Sequence, residues 1–448
     1  MSSATRRSAV SGAPGLLLAA PQSGSGKTVL TLALLRALAR RGLCVASAKV
    51  GPDYIDPKFH EAASGLPCPN LDPWAMRPAL LRDLASRQAA KADILIVEGV
   101  MGLYDGAADG TGSTADLAAL LGLPVILIVD AARQAQSVAA LVRGFRDHGH
   151  EPDREPVRVA GVILNRVGSE RHAGMLKASL ETIAMPVLGA VPRAADLALP
   201  ERHLGLVQAG EHADLDAFLE RAADIVANAV DLDALARLAA PLALPGDHIA
   251  PTRLAPLGQR IAVARDEAFA FAYPHLLEGW REQGAELSFF SPLADEGPAR
   301  EADAVYLPGG YPELHAGLLA HNEGFLAGLK SAADRRALVY GECGGYMVLG
   351  EALTDAQGTI HRMAGLLPLE TSFERPKLHL GYRRLTPCRS LPWAGALTAH
   401  EFHYASVLRT GDAPALFEAC DAEGTRRPTM GLVRGVVMGS FAHVIDGT

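Results

Sequence analysis

Two successive α/β domains are what the sequence predicts, and three observations predict them. In the first half, short apolar runs bounded by Gly, Pro or Asp recur between helix-length amphipathic stretches, as buried parallel strands and their crossover helices do. Around 231–258 this pattern loosens, with Pro241, Pro245, Pro251 and Pro256 close together after the Ala- and Leu-rich Asp231–Ala240, which reads as a linker. A second α/β pattern then begins. At roughly 150 residues per domain, 448 residues suit two to three domains. The expected division is 1–235, a linker at 236–258, and 259–448.

Taken in order, the first-domain strands are expected at Leu16–Ala20, Val45–Val50, Ile94–Val97, Val125–Val129, Val159–Leu164 and Val187–Val191. The clearest helix carries Leu30, Leu34 and Leu38 on one stripe, has Arg40 and Arg41 in its last turn, and stops at Gly42. In the second domain, strands are expected at Ile261–Ala264, Ala304–Leu307 and Ala337–Tyr340, followed by shorter, turn-rich ones. No repeat of fixed period is evident, which excludes solenoids and propellers.

Composition narrows the function. A hydrophobic share of 49% provides for sizeable cores, and 45 Gly with 29 Pro fall short of a low-complexity chain. A net charge of −8 argues against a dedicated nucleic-acid binder. The five cysteines, Cys44, Cys68, Cys343, Cys388 and Cys420, are widely spaced with no C-x-x-C pair. Neither a disulfide framework nor a zinc site is expected, and a reducing cytoplasm is the natural location. The apolar run Leu16–Ala20 is too short for a membrane span or a secretory signal.

The first strand leads into Pro21-Gln22-Ser23-Gly24-Ser25-Gly26-Lys27-Thr28, which opens a helix. This is phosphate-cradle chemistry. Small residues let backbone N–H groups wrap phosphates, Lys27 adds a mobile charge, and the Thr28 hydroxyl ligates Mg²⁺. Pro21 stands where the first glycine is usual. Glu98, at the carboxyl end of a buried strand, is the first candidate for a metal carboxylate. The loop Lys49-Val50-Gly51-Pro52-Asp53-Tyr54-Ile55-Asp56-Pro57 offers two acids and a lysine for metal, phosphate or substrate, and Asp105 is a similar candidate. An ordinary polar loop is the competing reading for both.

In the second half, Gly341-Glu342-Cys343-Gly344-Gly345 lies between a strand and a helix. G-x-C-x-G on such a turn projects a nucleophilic thiol, whose pKa a helix N-terminus is expected to lower. Attack on an amide needs an oxyanion hole and an imidazole. Gly309 and Gly310, in Pro308-Gly309-Gly310-Tyr311-Pro312, offer the backbone N–H groups. His443 is the best base, with His400 and His403 as rivals; strand alternation puts Glu401 and His403 on one face.

Together with Glu98-Gly99-Val100-Met101-Gly102-Leu103-Tyr104-Asp105-Gly106 and Leu307-Pro308-Gly309-Gly310-Tyr311-Pro312-Glu313, these segments resemble the cobyrinate or hydrogenobyrinate a,c-diamide synthases, from Leu16 to His443. The resemblance implies an N-terminal domain similar to dethiobiotin synthetase and a C-terminal class I glutamine amidotransferase domain. It implies that Gly24, Ser25, Gly26, Lys27 and Thr28 hold ATP phosphates, that Asn165 contacts the adenine, and that Thr28 and Glu98, with Asp53, serve Mg²⁺. Lys49, Asp53, Tyr54, Asp56 and Asp105 would surround the acceptor carboxylate, and Cys343 and His443 would form the glutaminase pair. The wider amidotransferase class commonly has Glu two residues after the catalytic His; here that position is Ile445. Asp446, Glu401 or no acid at all is left to orient His443.

The activity so implied is amidation of the a and c carboxylates of a tetrapyrrole polycarboxylate in cobalamin biosynthesis. ATP and glutamine are co-substrates, an acyl phosphate is the intermediate, ammonia travels by an enclosed path, and the enzyme is a homodimer. A nickel-sirohydrochlorin a,c-diamide synthase is the nearest alternative, because a tetrapyrrole pocket reads similarly. Cobyric acid synthase fits the intact G-K-T loop less well. A P-loop switch ATPase leaves Cys343 unexplained, and a bare glutaminase or peptidase leaves the first 230 residues idle.

Overall fold

All six runs expected as strands in the first half enter one seven-stranded parallel sheet, joined at its edge by the short Asn70–Leu71. The order is Asn70–Leu71, Val45–Val50, Ile94–Glu98, Gly15–Ala19, Val125–Asp130, Val159–Val167 and Val187–Pro192, every neighbour parallel. Their continuous apolar character has a direct cause: three of the central strands are buried at every position. This computed structural model describes residues 12–148, 156–194, 197, 201–202, 205–206, 210, 214–244, 250–389, 391–393 and 395–448. No helix among them is long and apolar enough to cross a membrane.

The chain divides into two compact units. The first contains 12–74, 78–106 and the described part of 110–251; the second contains Ala75–Arg77, Ala107–Asp109 and Thr252–Thr448. In the first, the helix Lys27–Arg40 buries Leu30, Leu34 and Leu38, but also Leu32 and Leu35. Burial extends around it because the helix Leu215–Ala229 covers its outer side, tied on by Arg36 to Glu220 at 2.7 Å. It ends at Arg41 and Gly42, whose φ of 87° is left-handed. The stretch read as the start of a linker contains a helix, Leu232–Leu238, capped by Asp231 accepting from the Ala234 N–H at 2.8 Å. The expected boundary at 235 therefore falls inside a helix. Pro245 lies outside the described residues.

The second unit is built on a ten-stranded mixed sheet. Glu286–Phe290, Arg260–Ala264, Ala304–Leu307, Leu338–Glu342 and Val437–Ser440 are parallel neighbours. Arg426–Arg434, Ala415–Cys420, His379–Pro387, Leu397–His403 and Ala442–Gly447 continue it antiparallel. Two of these strands have nine residues, while the short strands expected after Ala337–Tyr340 are Ala352–Thr354, Ile360–Arg362 and Leu369–Ser372, which belong to a separate four-stranded sheet. Side chains alternate between two cores: Ala262, Val305 and Val339 enter one, while Val263, Tyr306 and Tyr340 enter the other.

Candidate active sites

The first site forms where central strands end together. Leu18 and Lys49 both lie in register with Glu98, at the carboxyl edge where open α/β sheets take ligands. Gly24 (φ 77°) and Gly26 (φ 82°) turn the chain into the helix that Lys27 begins. A Cβ on Gly26 would lie 2.3 Å from Asn165 Nδ2, so this position needs glycine for its neighbour as well as its φ. Asn165 acts here as a strut: its amide donates to the Ser25 carbonyl oxygen, and its oxygen accepts the Arg166 N–H, both at 2.9 Å. Arg166 bonds the Gly24 carbonyl oxygen at 2.9 Å and Asp130 at 2.5 Å. A cavity of about 640 Å³ opens beside them, lined by Gly26, Val29, Asp130, Arg133, Asn165 and Arg166 among others.

Behind the loop lies a buried charge cluster. Lys49 Nζ is 2.6 Å from Asp56 and 2.8 Å from Glu98. Thr28 donates to Glu98 Oε1 at 2.7 Å and lies 3.3 Å from Asp56. The other oxygen of Glu98 meets His60 Nε2 at 2.6 Å. Burial opposes ionisation of Glu98, but Lys49 and His60 outweigh it and hold its carboxyl far below the usual range. Burial also works against a charged His60; the Cys68 sulfur and Glu98 overcome it and raise its pKa to about 10. Lys27 donates to the Met101 carbonyl oxygen at 2.7 Å, and burial, then the Lys49 charge, lowers its pKa to about 8.

Backbone N–H groups engage two of the expected acids, Asp53 and Asp105. Asp53 Oδ1 accepts the Ile55 and Asp56 N–H groups, at 2.8 and 3.0 Å, and so shapes the start of the helix Asp56–Ser64. Burial and neighbouring Asp56 raise its pKa to about 6. Asp56 is thus the second carboxylate within reach of Thr28, where Asp53 was expected. Asp105 folds its own loop, accepting the Gly102 N–H at 2.7 Å. Tyr54 is half-buried in the Asp53 loop. Thr28, Asp56 and Glu98 supply hard oxygen donors beside a phosphate cradle, a set that suits Mg²⁺.

The second site centres on Cys343. Its φ of 46° and ψ of −103° are strained for a residue with a Cβ, at the turn between the strand Leu338–Glu342 and the helix Gly344–Leu349. A Cβ on Gly309 would lie 2.3 Å from His443 Cε1, 3.1 Å from Nε2 and 3.2 Å from Cys343 Cβ. The nucleophile, the imidazole and Gly309 therefore border one point. Gly310 approaches from the same loop; a Cβ on Gly344 would be 3.1 Å from the Gly310 nitrogen. The expected low thiol pKa is not what this setting produces. Burial, then the Glu313 charge, pushes Cys343 upward against the Gly344 N–H, and the helix has only six residues. Burial, then His400 and His403, lowers His443 to about 3, leaving a neutral base.

The rival residues lie beside His443 but have partners of their own. His403 stacks on Phe441 at 3.9 Å and meets Glu401 at 3.1 Å, as the alternation of that strand implied. Glu401 also binds Arg383 at 2.6 Å. Asp446 receives the Arg77 backbone N–H at 3.0 Å and its guanidinium at 2.9 Å. His400 packs against Tyr382 and Phe402. Sequence reading missed His60, Arg166 and Glu342. The first had a signal, since His60 is four residues after Asp56 and shares its helical face.

These two sites lie within two matched domain families, which define the class of protein. Residues 16–207 match the CobQ/CobB/MinD/ParA nucleotide binding domain, and residues 260–447 match the CobB/CobQ-like glutamine amidotransferase domain. Proteins named hydrogenobyrinate a,c-diamide synthase from Brucella anthropi and Rhizobium meliloti are each 60% identical to this chain. The alignments cover 96% of it and 98% and 99% of those proteins. The one from Rhodobacter capsulatus is 54% identical over 97% of this chain and 99% of its own. The chain belongs to the hydrogenobyrinate a,c-diamide synthase family.

Proposed function

We propose that this protein converts the a and c side-chain carboxylates of hydrogenobyrinate to primary amides, using ATP, Mg²⁺ and glutamine. The observation that carries the reading is the presence of two unlike centres on one chain: a strained cysteine beside a neutral histidine, and a phosphate cradle backed by carboxylates. Near-complete coverage of relatives bearing that name supports the choice of macrocycle.

The chemistry follows from the residues. Cys343 gives its proton to His443 and its sulfur bonds the amide carbon of glutamine, while N–H groups of Gly309 and Gly310 face the developing oxyanion. His443 returns the proton as ammonia leaves, and water hydrolyses the thioester to glutamate. At the other centre a substrate carboxylate attacks the γ-phosphate, giving an acyl phosphate and ADP. Gly24 to Thr28 orient the phosphates, and Lys27 offsets charge gathering on them. Thr28, Glu98 and Asp56 would hold Mg²⁺, which would supply further charge neutralisation. Ammonia then displaces phosphate to leave the amide.

Cytoplasmic location, a homodimer and no nucleic-acid partner belong to the same proposal; the acidic net charge supports the last. The test is mass spectrometry of product after incubation with ATP, Mg²⁺, glutamine and one of hydrogenobyrinate, cobyrinate or nickel-sirohydrochlorin. Two exchanges of OH for NH₂ on hydrogenobyrinate are expected. Exchange on nickel-sirohydrochlorin alone would replace the reading with the alternative, and exchange on none would refute it.

A further inference from the structure

We propose that Glu342 is the positioning residue of the glutaminase centre, holding His443 in register with Cys343 and balancing the charge that His443 takes up. This rests on the proposed function, which needs a base beside the thiol. The residue before the nucleophile ends its strand on the face opposite Cys343, so the carboxylate enters the core that contains Tyr306, Tyr340, Phe417 and Val444.

Its contacts there are specific. Glu342 Oε2 accepts the Tyr306 hydroxyl at 2.7 Å and lies 3.9 Å from His443 Nδ1. Oε1 accepts the Tyr340 hydroxyl and the Val444 N–H, each at 3.1 Å. Val444 directly follows His443, so the residue before the nucleophile grips the residue after the base. The strands Leu338–Glu342 and Ala442–Gly447 are not neighbours in the sheet, and no backbone ladder ties them. The side chain supplies that tie.

The ring's two nitrogens have separate faces. Nε2 borders the Cys343 side through the Gly309 contact, and Nδ1 faces Glu342. When the thiol proton moves to Nε2, the resulting imidazolium has a carboxylate behind it. A separation of 3.9 Å exceeds a hydrogen bond by roughly 1 Å, a gap of the kind that closes when substrate engages. The acids that sequence left open are committed to Arg77 and to Arg383 with His403. Burial raises Glu342 to about 7 against its three donors, so it ionises in the working range. The titratable groups around the pair are Tyr306, Tyr340 and Tyr273 on its core side, and His400, His403 and Glu401 beyond His443.

The test uses the full chain carrying Glu342→Gln or Tyr306→Phe and follows glutamate release from glutamine against pH. Amidation driven by free ammonium, which bypasses this centre, reports whether the chain is folded. Glu342→Gln is expected to lower kcat on the order of a hundredfold, the lower end of general acid–base help, with KM for glutamine little changed and the rise near pH 7 gone. Tyr306→Phe removes a donor from the carboxylate and moves that rise to higher pH. A Glu342→Gln enzyme within twofold of wild type at every pH would overturn the proposal, as would an unmoved rise in Tyr306→Phe. Glutamate release reads this pair even where no tetrapyrrole is amidated, so its failure and that of the proposed ligase reading are separable.

Discussion

Replacing Lys49 by Met would expose the charge balance of the nucleotide site. The ammonium is 3% exposed and lies within 2.8 Å of carboxylates on Asp56 and Glu98. Methionine keeps most of the volume but leaves two buried acids facing each other. Removing one partner of a buried pair costs about 3–5 kcal/mol. His60 and Thr28 still bond Glu98, so the lower figure, about 3 kcal/mol, applies. For a domain of about 200 residues this lowers Tm by roughly 6–12 °C, read by calorimetry of the whole chain at pH 7.5. The sign with pH follows from Glu98, whose folded pKa is depressed. Its contribution is present above the ordinary carboxylate range and lost as pH falls through the folded value, so the gap between wild type and variant closes on acidification. Millimolar Mg²⁺ should recover part of the loss, because the carboxylates beside Thr28 are then open to it. A fall of less than 2 °C, or a gap that widens in acid, would refute the charge-balance argument.

Three further outcomes follow from the same geometry. Gly309→Ala puts a methyl 2.3 Å from His443 Cε1 and 3.2 Å from Cys343 Cβ, and glutamate release should fall about a hundredfold, as an ångström of misplacement does. Gly26→Ala forces a side chain to φ 82° and within 2.3 Å of Asn165; the backbone term alone costs about 1–2 kcal/mol, and calorimetric titration should show weakened ATP binding. Glu342→Gln should stabilise the fold in urea at neutral pH. Because the folded pKa of about 7 lies above the ordinary 4.5, wild-type stability from this group is full below 4.5 and lost as pH rises through 7. The variant's advantage therefore opens between those values and levels near about 3 kcal/mol; an advantage that is absent or independent of pH would contradict this.

Much of the fold was legible because a parallel strand buried on both faces writes its burial into consecutive residues, as Ile94–Val97 and Val125–Val129 do. The phosphate loop and the cysteine turn were legible because their backbones need glycine at set offsets, seen at Gly24, Gly26 and Gly344. What sequence could not convey depends on packing between distant segments. Asp53 and Asp56 are three residues apart in one loop, and only the helix start at Asp56 turns one inward to Thr28 and the other back on the chain. The Cys343 thiol was expected to be acidified by a helix, yet burial dominates, and burial is not a local property. Glu342 stood in plain view beside Cys343, but its reach to Val444 spans strands that only the curled sheet brings together.

In the proposed reaction, Cys343 takes nitrogen from glutamine for fixation at the Lys27 site. The most direct measurement follows glutamine labelled with ¹⁵N at its amide into the product, with unlabelled ammonium absent. Two ¹⁵N atoms in each fully amidated macrocycle, and none when Cys343→Ser replaces the wild type, are predicted. Labelled product formed by Cys343→Ser at the wild-type rate would contradict it.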